Sequence, residues 1–298
     1  MDLSEMKRVG AQPAWSMEFG DRRINFQERT VIMGILNVTP DSFSDGGEYF
    51  DHDAAVKRGL AMIEEGADII DIGGESTRPG AEEIDVSEEI ARVIPVIRSL
   101  SEKTDAILSI DTRKSLVAKE AIMAGARLIN DVSGFVYDPQ IIQVALHARV
   151  PVVLMHSQGT PANMQKNPIY TNVIDEIYHF FGNQINFAIE KGLSREFIIV
   201  DPGIGFGKSV QHNYEILKNL SFFQSLGCPL LLGVSRKSFI GAVLNVDEKN
   251  RIFGTAAAVT ASILNGAHII RVHDIWEMKQ VAQVTDIIKN TTTASGNP

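Results

Sequence analysis

Cysteine is almost absent from this 298-residue sequence: Cys228 is the only one, so the chain can form no disulfide bond within itself. A reducing compartment is therefore expected, and the position of Cys228 ahead of an apolar run predicts a buried packing residue rather than a nucleophile. No apolar run reaches the roughly 20 residues that a membrane helix requires. The N-terminal segment, which contains Glu5, Lys7 and Arg8, lacks the apolar core of a signal peptide. These absences predict a cytoplasmic protein without a membrane partner.

Positive charge is scarce as well. Lys and Arg total 28 against 37 Asp and Glu, which gives a formal net charge of −9, and no basic cluster stands out. Nucleic acids and anionic membranes attract proteins through such clusters, so neither is expected as a partner. A small anionic substrate would need a local basic site.

Apolar, strand-like segments alternate with amphipathic, helix-like segments along most of the chain. Eight segments have the composition of buried strands: residues 31–36, 68–72, 106–110, 128–129, 152–155, 197–200, 230–234 and 267–272. Eight parallel strands joined by helices close most simply into a (β/α)8 TIM barrel, with a doubly wound open sheet as the alternative. The alternating pattern around Gly20 and Asp21 predicts a β-hairpin before the barrel. We expect one domain, with a hairpin extension in residues 1–30, the barrel in 31–289 and a disordered tail in 290–298.

Short signals mark the ends of several predicted helices. Gly66, Gly125 and Gly266 each precede an alanine and a strand, where glycine tolerates the left-handed backbone that ends a helix. Asp85 and Glu88 have the spacing of a capping box. A longer helix is predicted to begin near residue 171.

Every predicted strand ends in polar or charged residues. They are Asn37, Asp71 with Glu75, Asp111, Asn130 with Asp131, His156, Asp201, Ser235 with Arg236 and Lys237, and Arg271 with His273. The carboxyl ends of the strands form the catalytic face of a parallel barrel, and polar groups converging there need partners or solvent. A single Asp at such a position, such as Asp111 or Asp201, could equally cap the next helix or form a loop ion pair.

Two further patterns need separate treatment. Arg271 and His273 are two residues apart on an extended segment, so their side chains project to the same side and could bind a phosphate or diphosphate. The segment GIGFGKS at residues 203–209 resembles a nucleotide-binding P-loop, but Pro202 stands where that pattern requires glycine. A P-loop nucleotidase is therefore not expected.

Taken together and in order, the motifs resemble those of the dihydropteroate synthase family, a family of pterin-binding TIM barrels. The matching motifs are GILNVTPDSFSDGG at 34–47, DIGGESTRPG at 71–80, SIDT at 109–112, IND at 129–131, MH at 155–156, DPGIGFGK at 201–208, SRKSFIG at 235–241 and RVHD at 271–274. They span nearly the whole chain after the hairpin. The loop after His156 departs mildly from the family pattern.

The resemblance implies that 4-aminobenzoate displaces diphosphate from (7,8-dihydropterin-6-yl)methyl diphosphate to give 7,8-dihydropteroate, in folate biosynthesis. It assigns residues as follows: pterin to Asp111, Asn130, Asp201, Lys237 and Arg271; 4-aminobenzoate to Thr77, Arg78, Pro79, Phe206 and Ser238; diphosphate to Asn37, Arg78, Arg271 and His273; catalysis to Asp111, Lys237, Arg271 and His273. It also implies a Mg²⁺ cofactor with Asn37 as its protein ligand.

Several further expectations follow from the resemblance. The family is the target of sulfonamides and commonly forms homodimers, and the apolar helix at residues 255–264 could serve as core or as interface. The polar, glycine-rich segment at residues 41–47 is expected to close over the substrates as a lid. Two alternative functions stay open: a methyltetrahydrofolate methyltransferase, which would share the pterin acids, and a non-catalytic pterin-binding paralogue.

Overall fold

The computed structural model describes residues 16–39, 52–76, 80–159, 164 and 168–291. The predicted hairpin is present as β1 (Ser16–Phe19) and β2 (Arg22–Asn25), which pair antiparallel around a turn at Gly20. Residue 15, the first of the predicted alternating pattern, lies outside the described residues.

The eight predicted strands all form, and all of them are parallel. They are β3 (Val31–Asn37), β4 (Ile69–Gly73), β5 (Ile107–Asp111), β6 (Leu128–Asp131), β7 (Val152–Met155), β8 (Ile198–Asp201), β9 (Leu231–Leu232) and β10 (Ile269–Val272). Their order is β8-β7-β6-β5-β4-β3-β10-β9, and a parallel bridge between Val200 and Leu230 brings the two edge strands together. This closure confirms the barrel and rules out the open sheet. The segment predicted as a strand at 230–234 is regular only over β9.

Helices on the outside connect the strands. Those of the described chain are α1 (His52–Glu65), α2 (Val86–Ser101), α3 (Ser115–Ala124), α4 (Ile141–Ala148), α5 (Val173–Glu190), α6 (Val210–Lys218), α7 (Ser238–Leu244), α8 (Ile252–Leu264) and α9 (Ile275–Asn290). The long helix α5 begins two residues later than predicted, because Asn172 caps it by accepting from the N–H groups of Ile174 and Asp175.

The predicted capping box at α2 is only half formed. The Asp85 carboxylate accepts from the N–H of Glu88 at 2.9 Å, as expected. The Glu88 carboxylate does not return to the cap and instead pairs with Arg92 one turn along the helix. The capping-box pattern takes no account of residues further along the helix. Arg92, four residues after Glu88, offers it an ion pair, and Glu88 forms that pair instead of the bond to the cap.

The three glycines of the repeated helix-to-strand turn have positive φ angles of 105° at Gly66, 124° at Gly125 and 104° at Gly266. A side chain at any of them would strain the backbone, which explains the repeat. Cys228 is buried, as predicted.

The strands have one apolar layer on their outer face and a second inside the barrel. Outward-facing strand residues pack against the helices, and inward-facing residues fill the amino-terminal half of the barrel. Met17 and Phe19 of the hairpin belong to this inner cluster, so the hairpin plugs the amino-terminal end of the barrel. In the described part of the chain, this packing closes the lumen of the barrel at its amino-terminal end. Within the described ranges no helix has the length and apolar character of a membrane span.

Candidate active site

The inward side chains change from apolar to polar along the strands. Near the amino-terminal end the inner cluster contains Ile69, Ile107, Leu128, Ile199 and Ile269. Two residues further on, the same strands carry Asp71, Ser109, Asn130, Asp201 and Arg271. Because side chains of a strand alternate between its two faces, these five also point into the barrel. A polar layer therefore follows the inner apolar cluster in the direction of the carboxyl ends of the strands.

Arg271 lies at the centre of this layer. Its Nε donates to Oδ2 of Asp71 at 2.6 Å, and its Nη2 donates to Oδ2 of Asp111 at 2.6 Å. The side chains are 19% exposed for Arg271, 0% for Asp71 and 10% for Asp111. Charges so far from water need partners, because a buried carboxylate without one costs several kcal/mol, on the order of 3–5. The guanidinium thus joins β10 to β4 and β5 across the lumen.

Asn130 belongs to the same network. Its Nδ2 donates to the Asp71 Oδ2 at 2.9 Å, so one carboxylate oxygen serves both the arginine and the amide. Asn130 is 4% exposed.

Asp201 is held by the glycine-rich loop that follows β8. Its Oδ1 accepts from the N–H of Gly203 at 2.8 Å. Gly203 has a φ of +70°, and a Cβ there would lie 1.9 Å from the carbonyl oxygen of His156. Only glycine fits, so the close approach of the loop to β7 fixes the backbone that orients Asp201.

Lys237 and Phe206 lie together at the same loop. The Lys237 Nζ donates to the carbonyl oxygen of Ile204 at 2.6 Å and lies 4.1 Å from the centre of the Phe206 ring. A cation over an aromatic face is attracted by the ring quadrupole. The resemblance assigned these two residues to different substrates, and in the structure their side chains are in contact.

His273 follows β10, with its Nδ1 3.1 Å from the hydroxyl oxygen of Ser235. Next to it, Arg236 forms an ion pair with Asp274 and has a φ of 58°, uncommon for a residue with a side chain. This turn leads directly to Lys237 and to Ser238, the exposed first residue of α7.

A cavity of about 1000 Å³ opens above the polar layer. Its lining brings together seven of the residues predicted from the sequence: Asn37, Asp111, Phe206, Lys237, Ser238, Arg271 and His273. Asn130 and Asp201 do not line it and lie deeper, at 4% and 6% exposure. Thr77, Arg78, Pro79 and the predicted lid at 41–47 lie outside the described residues.

Burial shifts the pKa values of the charged groups. It raises the pKa of Asp111 to about 7, although Arg271 opposes the shift. It lowers the pKa of Lys237 to about 8 and that of His273 to about 4. It also raises the pKa of Asp201, against the hydrogen bond from Gly203. At neutral pH, His273 is therefore uncharged and Lys237 is largely protonated.

Two buried charged residues close to the site, Asp71 and Lys208, received no site role from the sequence. The sequence analysis noted Asp71 only as a polar residue at the end of a strand. Its position two residues after Ile69 could have shown that its side chain points into the barrel, because alternate residues of a strand face the same side. Lys208, the lysine of the P-loop-like segment, is 2% exposed and its Nζ donates to the carbonyl oxygens of Phe206 and His156 at 2.9 and 3.2 Å. Lys208 therefore joins the glycine-rich loop to the end of β7 through its buried ammonium group.

A second, smaller compartment of about 340 Å³ shares Asp111 and Phe206 with the main cavity. At its edge, Glu75 accepts from Arg113 Nη2 at 2.8 Å and from Lys114 Nζ at 2.5 Å. These bonds tie the segment after β4, which leads to Thr77, to the start of α3.

A magnesium ion at this cavity would have few protein ligands. Among the described residues no group of three or more His, Cys, Asp or Glu could hold a metal. Magnesium, however, commonly keeps several waters and takes one or two protein ligands together with substrate phosphates. Asn37 is exposed at the end of β3 and lines the cavity with Arg271 and His273. The residues fit a magnesium ion that is held jointly with a bound diphosphate.

Comparisons with known proteins point to one family and to the same fold. A family described as pterin binding enzyme matches residues 33–273. The dihydropteroate synthase of Clostridium beijerinckii is 48% identical over 273 residues, which are 91% of this chain and 99% of that protein. The crystal structure of the Yersinia pestis dihydropteroate synthase with a sulfonamide drug has a TM-score of 0.88 at 41% identity, covering 93% of this chain and 100% of that one. The Xanthomonas albilineans dihydropteroate synthase with 4-aminobenzoic acid has a TM-score of 0.87 at 40% identity, covering 95% and 100%.

Replacing Arg271 with methionine tests the ion pairs across the lumen. At pH 8 the variant leaves Asp71 and Asp111 without their cation, and we expect the free energy of unfolding to fall by about 3–5 kcal/mol. At pH 6 the loss should be smaller, because the Asp111 pKa, already about 7, rises further without Arg271 and the carboxyl takes up a proton. Urea unfolding at the two pH values measures both.

Arg29→Met is the control: Arg29 is 59% exposed in its pair with Asp68, so a loss of about 0–1 kcal/mol is expected at either pH. An equal loss at both pH values for Arg271→Met would contradict the prediction.

Proposed function

The chain belongs to the dihydropteroate synthase family of pterin-binding enzymes, and we propose that it condenses (7,8-dihydropterin-6-yl)methyl diphosphate with 4-aminobenzoate to 7,8-dihydropteroate and diphosphate. The observation that carries the proposal is the single cavity lined by Asp111, Lys237, Arg271 and His273, with Asp201 and Asn130 beneath it. Carboxylates that can accept hydrogen bonds from the pterin edge, and cations that can bind a diphosphate, thus lie together at the carboxyl end of the barrel.

The deep part of the site is assigned to the pterin ring. The pyrimidine edge of a pterin presents an N–H and an amino group side by side, and a carboxylate accepts both in parallel bonds. Asp201 is the carboxylate for this edge, Asn130 completes it, and Lys237 donates to the ring carbonyl and nitrogen. Such a site rejects analogues without the donors by roughly 10⁴-fold, because its own buried polar groups would stay unpaired.

The outer part of the site is assigned to 4-aminobenzoate. Phe206 forms one wall of the slot, and Ser238, exposed at the start of α7, lies near the carboxylate of the substrate. Thr77, Arg78 and Pro79 complete the slot in this proposal. Sulfonamides mimic 4-aminobenzoate, so the same slot is proposed as their binding site.

The cations of the cavity are assigned to the diphosphate. Arg271 and His273 bind its oxygens together with Arg78, and Asn37 would be the protein ligand of a magnesium ion bound with it. When bound, the magnesium ion would neutralise charge on the leaving diphosphate. A phosphate oxygen beside His273 would also favour the protonated imidazole, whose pKa is held near 4 by burial in the ligand-free protein.

The chemistry breaks one bond and forms another. The C–O bond between the pterin methylene and the diphosphate breaks, and both electrons leave with the diphosphate. The nitrogen lone pair of 4-aminobenzoate then forms the C–N bond to the cationic methylene, and the nitrogen loses a proton. Asp111 faces the cationic side of the ring, and its ionised carboxylate stabilises the developing cation.

The two alternative functions are less well supported. The relatives that match nearly the full chain are named dihydropteroate synthase, which disfavours a methyltetrahydrofolate methyltransferase. A non-catalytic paralogue would have no need for Asn37, Arg271 and His273 around one cavity.

A cytoplasmic location is part of the proposal, because the single cysteine suits a reducing compartment.

Purified protein should release diphosphate and form 7,8-dihydropteroate only when both substrates are present. Activity should be lost on chelation of divalent cations and restored by Mg²⁺, because the leaving diphosphate needs its charge neutralised. A coupled diphosphate assay with product detection measures both effects. Binding of the pterin diphosphate without diphosphate release in the presence of 4-aminobenzoate would reject the enzyme proposal, and full activity in chelator would reject the magnesium.

The two parts of the site should separate in mutants. Asp201→Asn should weaken pterin binding, because the amide cannot accept both edge donors, and His273→Ala should mainly lower kcat. A loss of about a hundredfold in kcat is typical when one contact to a leaving charge is removed. Calorimetric titration with the pterin diphosphate and steady-state kinetics distinguish the two. Unchanged pterin affinity in Asp201→Asn would refute the edge assignment.

We further propose that the protein forms a homodimer through the outer faces of α7, α8 and α9. One face of α8 is core, with Val259 and Ile263 buried, but Phe253 is 86% exposed. Ile287 and Trp276 on α9 are 70% and 59% exposed, and Val243 on α7 is 64% exposed. The three helices pack against one another in sequence, and exposed large apolar side chains on neighbouring helices favour an interaction surface.

Phe253→Glu should convert the dimer to a monomer, because it puts a charge into the proposed interface. Sedimentation velocity measures the change. Met123→Glu is the matched control, since Met123 is 71% exposed on α3 and is not part of the proposed face. A wild-type monomer at high concentration, or dissociation by both variants alike, would count against this interface.

A further inference from the structure

Asp71 contacts two of the residues assigned to the pterin site and has no assigned role of its own. Its Oδ2 accepts from Nε of Arg271 at 2.6 Å and from Nδ2 of Asn130 at 2.9 Å. We propose that Asp71 is a positioning residue for the reaction, which orients the Asn130 amide and the Arg271 guanidinium toward the pterin substrate without touching it. The inference rests on the proposed function and deepens it.

The first part of the role concerns the direction of the Asn130 amide. A carboxylate can only accept hydrogen bonds, so Asn130 must turn its NH2 group toward Asp71. Its carbonyl oxygen is thereby left for the ligand, as an acceptor for a pterin N–H. Without a fixed partner, the two ends of an amide exchange by a half turn of nearly equal energy. Asp71 thus makes Asn130 an acceptor and excludes the donor arrangement.

The second part concerns the plane of the Arg271 guanidinium. Asp71 binds the inner nitrogen, Nε, whereas Asp111 binds one of the outer nitrogens, Nη2. A group fixed at Nε keeps its orientation while its outer nitrogens exchange one partner for another. The Asp111 contact can therefore give way to a bound anion without loss of the Asp71 contact. Asp71, at 1% exposure, stays shielded from the cavity throughout.

The third part concerns charge. Five charged side chains interact electrostatically with Asp111: Arg271 from β10, Asp71 from β4, Glu89 from α2, Asp131 from β6, and Lys237, which directly precedes α7. Burial is the main reason that the Asp111 pKa is raised, Arg271 lowers it, and the negative charge of Asp71 adds to the rise. Neutralising Asp71 must therefore lower the pKa of Asp111, a change that loss of packing alone would not produce.

The variant Asp71→Asn tests the proposal, because it keeps the shape of the side chain and removes its charge. We expect the Kd for the pterin diphosphate to rise about 10- to 100-fold, as for the loss of a hydrogen bond to a charged group. The KM for 4-aminobenzoate should stay unchanged, and the acid limb of the kcat profile should move to lower pH. Calorimetry and steady-state kinetics over pH measure these quantities on the purified full chain.

Ser109→Ala is the matched control for packing. Ser109 lies opposite Asp71 in the β4–β5 register, is fully buried, and its hydroxyl has no hydrogen-bond partner among the described residues. It removes a polar atom from the same layer without changing charge, so pterin affinity and the acid limb should both stay as in the wild type. If Ser109→Ala shifts them as Asp71→Asn does, the effect is general packing and the proposal is overturned.

Asp71→Glu decides the matter if Asp71→Asn fails to fold. It keeps the charge and displaces the carboxylate by one methylene, so weaker pterin binding with an unmoved acid limb supports a positioning role. Wild-type affinity in Asp71→Glu, or in a folded Asp71→Asn with an unmoved acid limb, overturns it. Wild-type protein that neither binds the pterin diphosphate nor forms product would reject the proposed function instead.

Discussion

The polar half of this barrel depends on the pairing of one buried cation with two buried carboxylates. Arg271 reaches across the lumen to Asp71 and Asp111, and all three side chains are at most one fifth exposed. Burying any of them without its partners would cost several kcal/mol. That is a large part of the free energy of unfolding of a typical domain, which is about 5–15 kcal/mol. The barrel makes the pairing possible because closure places β10 beside β3, with β4 and β5 next in order. An arginine at the end of β10 therefore faces the acids of β4 and β5.

Stability and chemistry occupy opposite ends of the same strands. The amino-terminal half is filled by branched apolar side chains and closed by Met17 and Phe19 of the hairpin. The carboxyl half exchanges this apolar filling for paired charges, and the loops that follow provide the walls of the cavity. The glycine-rich loop after β8 is the tightest of these, because Gly203 approaches the His156 backbone closely and Lys208 joins the loop to the end of β7. A rigid lower half thus supports a site whose polar groups are already oriented before a ligand binds.

The charges of the cavity are balanced close to neutral pH. Burial raises the pKa of Asp111 to about 7 and lowers the pKa of Lys237 to about 8, so both groups respond to the arrival of a charged ligand. An anionic substrate would favour the protonated lysine and imidazole, whereas a developing cation would favour the ionised Asp111. Titratable groups whose environments move their pKa values toward neutrality are typical of a catalytic site.

The sequence by itself determined the eight strands, the barrel class, the hairpin and the polar residues at the strand ends. These are local properties: apolar runs of strand length, glycines at positive φ, and polar residues that follow each run. Partners could not be determined in the same way. Arg271 and Asp71 are 200 residues apart in the chain, and only closure of the barrel brings them to 2.6 Å. Likewise, the sequence excluded a P-loop at residues 203–209 but did not show what Lys208 contacts, and Glu88 had the spacing of half a capping box. The structure turned Lys208 inward and paired Glu88 with Arg92, because contacts made in three dimensions outweigh a local spacing.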